Sequence, residues 1–271
     1  MTKRFDPRTL GAQCHLCPLG PNGELRQEDW EPVGPEIHNG CKVLAVAESP
    51  GPEEVIRGRP LVGRSGSEWN HALSSNKLRR VDVDLDNVIA CKPPGEASGA
   101  WKRLDKKIDG LNKQRMRQGQ DPVLHPQVCC APRLKQMASR YPNILTLGKV
   151  ATQALTGISG SILKSRGGPL RVTDTWRVTD TEEATAHRVM PTVHPAFSLR
   201  SPSWRPVLHS DIGKAFRWFN DALNWEQPEN LWRPSPAELE EWLSQPAPFW
   251  AYDVETDGIE PMTCALRTIA I

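Results

Sequence analysis

The 271-residue chain contains no apolar run near the ~18 residues that a membrane-spanning helix needs. Its opening, MTKRFDPRTL, carries basic residues with no apolar stretch behind them, so a secretory leader is not expected. An excess of one charge is missing too. Lys and Arg number 34 against 32 Asp and Glu, and this balance names no partner. Internal repeats and low-complexity tracts are absent, which excludes solenoid and fibrous architectures. Tyrosine is scarce, at two residues. The expectation is a soluble, intracellular protein without membrane association, and a monomer.

Proline is plentiful at 25 residues, where average usage would give about 14. Six of the ten tryptophans fall between Trp204 and Trp250. The seven cysteines are odd in number and accompany no export signal, so free thiols, a metal or a cluster are better readings than disulfides. Cys14 and Cys17 form a C-x-x-C; Cys91 and the Cys129–Cys130 pair lie far downstream. Four thiolates hold either zinc or an iron–sulfur cluster, and buried free thiols are the plain alternative. Cys41 and Cys264 sit in apolar runs and read as core.

Apolar segments at 41–47, 87–90, 143–148 and 187–193 read as strands. Helical spacing predicts helices over 67–80, 130–140, 150–155 and 207–223. This alternation predicts an α/β fold with a mainly parallel sheet of four strands. In such sheets functional groups collect beyond the C-terminal strand ends, where Glu48, Cys91, Gly148 and His194 fall. The first domain is expected over 1–222. A linker with a short helix follows over 223–247, opened by a Ser235–Glu238 capping box. Something new begins at 248–271, and a stop in mid-strand points to a longer natural protein or a split gene.

Four strand-end segments stand in order: AESPGPEEVIRGRPLVGRSG (47–66), NVIACKPPG (87–95), CAPRLKQM with PNILTLGKVATQAL (within 130–155), and TVHPAFSLR (192–200). With the Cys14/Cys17 pair ahead of them, roughly residues 10–222 resemble the family-four uracil-DNA glycosylases, the iron–sulfur branch of that superfamily. The resemblance implies a three-layer α/β/α fold and excision of uracil from flipped-out DNA. It implies Glu48, Glu54 and His194 as catalytic groups and Asn87 as the residue that reads uracil, with Ser49, Gly51 and Leu61 also in the base pocket. Arg64, Ser65, Phe197 and Arg200 would face DNA, the last two in a wedge loop after His194-Pro195. A 4Fe-4S cluster (zinc being the alternative) would be held by Cys14, Cys17, Cys91 and Cys130, with Cys130 preferred over Cys129 by its place two before Pro132.

The residue types suit that chemistry. A carboxamide offers both donor and acceptor to uracil O4 and N3–H. Fixed donors stabilise charge developing on uracil O2, and a carboxylate orients water or faces the sugar cation. Glycines in Gly63-Arg64-Ser65-Gly66 let the backbone approach a phosphate. Taken singly, Glu48, Asn87 and His194 read equally well as turn or loop residues. Departures from the pattern are Ala47 and Ser49, Val55, and Leu61 where the family has an aromatic. They leave open a second reading, a non-catalytic DNA- or uracil-binding module. An extra segment near 96–121 carries Lys102, Arg103, Lys106, Lys107, Lys113, Arg115 and Arg117 against Glu96, Asp105, Asp109 and Asp121. It reads as a solvated helix, a flexible loop or a phosphate-tracking patch.

The closing segment, YDVETDG at 252–258, resembles the first motif of the DEDD proofreading exonucleases, most like those of family A DNA polymerases. Asp253 and Glu255 would be metal ligands, since residues two apart on a strand share a face. An acidic turn is the plain alternative. The context implied is a glycosylase domain covalently continuous or associated with a phage-type DNA polymerase.

Overall fold

Four segments become neighbouring parallel strands in the computed structural model of this chain. It describes residues 5–26, 30–95, 99–179, 186–223 and 234–246, with the backbone of 253–256 and 266–270. The strands are β1 (Val43–Ala47), β2 (Asp84–Asn87), β3 (Asn143–Leu147) and β6 (His187–Thr192), in the order β2-β1-β3-β6. Two short antiparallel strands, β4 (Leu170–Val172) and β5 (Val178–Thr179), extend the β6 edge. The four-stranded sheet expected from sequence is therefore a mixed sheet of six. β4 and β5 escaped notice because they are two or three residues long and polar, too short for a period-2 pattern.

Helices cover both faces. β1 shows why: Leu44 and Val46 enter one apolar cluster, while Val43, Ala45 and Ala47 enter the other. On the first face lie α3 (Ala100–Arg117), α4 (Pro126–Ala138) and α5 (Lys149–Thr156), through Leu104, Ile108, Leu134, Met137 and Leu155. On the second lie α2 (Arg64–Ser75) and α8 (Arg205–Phe219), through Trp69, Leu73, Leu208 and Ile212. Strands buried on both sides read as near-continuous apolar runs; β1 is wholly apolar and β3 is broken only by Asn143 and Thr146. Three short helices complete this region: α1 (Pro52–Arg57), α6 (Ile162–Ser165) and α7 (Pro195–Arg200).

Three expectations need correction. β2 occupies 84–87 instead of 87–90, because Asp84 and Asp86 are buried with partners and a polar segment can then form a buried edge strand. Asp84 accepts from Tyr141 Oη at 2.6 Å and from the His38 backbone N–H at 2.7 Å. The segment after His194 is helix α7, not a loop, with Pro195 at its first position. Cys41 is only half-buried, its thiol donating to the Asp82 carbonyl at 3.2 Å; Cys264 lies outside the described residues.

The chain divides into two compact units, 1–224 and 225–271. In the second, Ser235 caps α9 (Pro236–Leu243). Its N–H donates to Glu238 Oε2 at 2.8 Å, and its hydroxyl oxygen accepts from the Glu238 N–H at 3.4 Å. Strands β7 (Asp253–Thr256) and β8 (Leu266–Ala270) pair antiparallel, with Asp253 opposite Ala270 and Glu255 opposite Thr268. The acidic residues expected as metal ligands thus sit two apart on one strand. The expected linker residues 224–233, with Tyr252 and Asp257, lie outside the described residues.

Candidate active site

Ala47 pairs with Asn87 and Leu147 with Thr192, so the four parallel strands end level with one another. Beyond those ends is a cleft of about 460 Å³. Glu48, Ser49, Gly51, Glu54, Leu61, Ser65, Asn87, His194 and Arg200 all line it. Every residue expected to act in catalysis or base binding is therefore in one place.

The near wall is a loop held by Glu54. Its Oε2 accepts from Gly51 N–H, and its Oε1 from Val62 and Gly63 N–H, each at 3.0 Å. Both carboxylate oxygens are thus committed to backbone. Leu61 is buried and adopts φ 48°, the left-handed region that branched or bulky residues avoid. Arg80 fixes it, donating to the carbonyls of Leu61 at 2.8 Å and Pro60 at 2.6 Å. Gly66 makes the approach possible, because a Cβ there would stand 1.9 Å from the Leu61 carbonyl oxygen. Arg80 and Arg59 both donate to the buried Glu36 at 2.7 Å. Burial alone would raise the Glu36 pKa, but the two guanidiniums outweigh it and pull it down to about 2.

Asn87 ends β2 and is 2% exposed. Among the described residues no hydrogen bond engages its carboxamide, which leaves that group for a ligand. Its backbone is clamped instead. The fully buried Arg133 of α4 pairs with Asp86 at 2.8 Å and donates to the Asn87 carbonyl. Glu48, just past β1, is half-buried. Burial, helped by the negative charge of Asp105 and opposed by Arg200, pushes its pKa up to about 7.

His194 accepts from Ala196 N–H through Nδ1 at 3.1 Å, capping α7. A neutral ring that accepts at Nδ1 carries its proton on Nε2. Burial, with Arg200 nearby and Glu54 opposing, lowers its pKa to about 4, so it is neutral at physiological pH. Gly148, at φ 90°, leaves room for it, its ideal Cβ lying 3.2 Å from His194 Cβ.

The residues expected to face DNA divide. Arg64 and Arg200 are exposed and Ser65 is at the cleft. Phe197, expected as a wedge, instead packs edge to face on Trp204 at 5.5 Å, against the α2/α8 cluster.

Cys14 and Cys17 flank a 3-10 turn, Cys91 follows β2, and Cys129 and Cys130 lie on α4. Gln13 N–H donates to the Cys129 carbonyl at 2.9 Å and so ties the turn to α4. The thiols crowd one another. Burial, Cys130 and Cys17 push the Cys14 pKa up to about 12, and burial with Cys130, Cys17 and Cys14 raises that of Cys91. Cys130 is thus a neighbour of both Cys14 and Cys91, while Cys129 lies beside Cys17. Buried thiols this close become thiolates only against a cationic centre. Among the described residues no group of three or more His, Cys, Asp or Glu side chains could hold a single metal ion. As a donor set, the thiols suit either zinc or an iron–sulfur cluster.

Sequence reasoning missed the far wall: Trp101, Lys102 and Asp105 from α3, and Lys149 and Val150 from α5. Within α3, Leu104 and Ile108 at helical spacing carried the available signal for inward packing. Arg133 was missed because an arginine within an apolar helix face reads as surface until its buried partner is known.

A family model described as the uracil DNA glycosylase superfamily matches residues 35–225. A Type-4 uracil-DNA glycosylase of Thermotoga maritima is 29% identical over 208 residues, covering 75% of this chain and 88% of its own. One from Saccharolobus solfataricus is 28% identical over 182 residues, covering 66% and 72%. One from Pyrobaculum aerophilum is 26% identical over 203 residues, covering 75% and 88%.

Proposed function

The chain belongs to the uracil DNA glycosylase superfamily, and from that premise we propose that it is a DNA-repair hydrolase that removes uracil from DNA by base flipping and cleavage of the N-glycosidic bond. One observation carries the reading: an unengaged carboxamide (Asn87), a buried carboxyl (Glu48) and a neutral imidazole (His194) converge on one cleft. A base within a duplex is out of reach, so the nucleotide is extruded into the cleft. Asn87 reads the uracil O4 and N3–H edge. His194 donates its Nε2–H to O2 as the departing base becomes an anion; a neutral donor of this kind needs no proton transfer. Ionised Glu48 faces the sugar, where it orients water or stabilises positive charge. Glu54 acts by positioning, since its oxygens are spent on Gly51, Val62 and Gly63. Arg64, Ser65 and Arg200 contact backbone phosphates.

Cys14, Cys17, Cys91 and Cys130 would hold a 4Fe-4S cluster. Its contribution is structural, tying the N-terminal turn to α4 and to the end of β2. The Asp253/Glu255 pair on β7 supports a further proposal: the second unit belongs to an exonuclease-like domain of a polymerase, of which this chain is the N-terminal part. A cytoplasmic setting in a bacterial or phage-infected cell fits that reading.

The test is uracil release from a single-uracil oligonucleotide, beside Asn87→Ala. Loss of the amide is expected to lower the rate at least about 100-fold, because the pocket was built to pair with it. No release by folded protein that still binds DNA would instead support the non-catalytic binding module.

A further inference from the structure

Helix α3 grows from the segment that sequence alone left as a charged insertion, and its first turn forms the far wall of the cleft. Among the described residues that line the cleft, Trp101 is the only Phe, Tyr or Trp. Its indole is half-buried and packs against the core cluster beneath α3 and α4. His125 backs it at 5.3 Å between ring centroids. His125 is itself pinned twice: Nδ1 accepts from Gln127 N–H at 3.1 Å, and Nε2 faces Asp105 Oδ1 at 3.1 Å. The indole is thus seated on a braced support beside the pocket that Asn87 and His194 share. The loop held by Glu54 offers the aliphatic Leu61 and Pro50, and no aromatic ring, to a flat base.

We infer that Trp101, carried by α3, is the aromatic platform on which the flipped base packs, so that the inserted helix is part of the base pocket. An extruded base has lost stacking on both faces, and an aromatic wall restores it on one. This rests on the glycosylase reading above. It adds a substrate-binding residue and turns the insertion from a surface feature into a determinant of base affinity.

The experiment compares Trp101→Leu with Trp101→Phe in the full chain. Leucine keeps apolar volume without a π face; phenylalanine keeps the face. The readouts are kcat and KM for uracil release, inhibition by free uracil, and melting temperature. Stacking predicts a roughly tenfold rise in KM and in the uracil inhibition constant for W101L. W101F should recover both to within a few-fold at a similar melting temperature. Equal behaviour of the two variants, or W101L matching wild type, overturns the inference. Should wild-type protein release no uracil, the function fails separately. Affinity for a uracil oligonucleotide over its thymine twin then decides: preference held by wild type and W101F but lost in W101L supports Trp101, and any other pattern overturns it.

Discussion

Glu48 and His194 sit within one cleft yet are driven in opposite directions from their ordinary pKa values. Glu48 at about 7 exchanges its proton at working pH, whereas His194 at about 4 stays neutral throughout. If the carboxylate is the working form, the rate of base release rises about tenfold per pH unit up to pH 7, then levels off. No second inflection from His194 should appear above pH 5. Glu48→Gln is expected to be slow and to have a flat profile. A wild-type rate that climbs as pH falls would reverse the role of Glu48. The same shift has a stability consequence. Folding raises the Glu48 pKa from 4.5, so its contribution is fully present below pH 4.5 and is lost as pH rises through 7. Glu48→Gln should therefore melt higher than wild type at pH 8. At Gly66 the limit is steric. A methyl group would meet the Leu61 carbonyl at 1.9 Å, so Gly66→Ala should cost about 2 kcal/mol or more in a denaturant melt and weaken base release, because Leu61 must move.

Among the elements, α4 connects the two halves of the site. It carries Cys130 on one turn and Arg133 on the next, and Arg133 reaches Asp86 and the Asn87 carbonyl on β2. The pair is fully buried, so removing the cation strands Asp86 in a low-dielectric core. Arg133→Met is expected to lose about 3–5 kcal/mol of stability. Its surviving folded fraction should release uracil more slowly, since the Asn87 backbone loses its clamp. Unchanged activity per folded molecule would detach α4 from Asn87. The sequence placed this helix over 130–140, near its true span, but gave no sign of its reach. An arginine three residues after Cys130 shares an apolar face only in a fold that brings Asp86 beneath it.

At the scale of the whole molecule, the thiols join three stretches of chain that are distant in sequence: the N-terminal turn, the end of β2, and α4. Protein purified without oxygen should absorb broadly near ~400 nm, as iron–sulfur clusters do. Cys91→Ser should abolish that band and lower the melting temperature, while Cys129→Ser should keep it. Retention of four irons per chain in Cys91→Ser, by metal analysis, would exclude Cys91 as a ligand. The second unit, 225–271, holds its own capped helix and paired strands. The Ser235–Glu238 cap was legible because its partners are three residues apart.

The sequence by itself determined what short-range physics controls. An unbroken apolar run marked β1 and largely apolar segments marked β3 and β6 as buried parallel strands, and 3.6-residue spacing marked α2, α4, α5 and α8. The polar residues following β1 and β6 then had to meet at one end of the sheet, which placed Glu48 and His194 together, whereas Asn87 joins them because β2 spans 84–87 and ends on it. Tertiary structure decided whatever depends on partners far along the chain. Two aspartates became part of a buried edge strand because Arg133, Tyr141 and His38 reach them. Phe197 is half-buried because Trp204 offers an edge to pack against. The charged insertion became a wall of the site because Leu104 and Ile108 have a core to enter, and that burial carries Trp101 to the cleft.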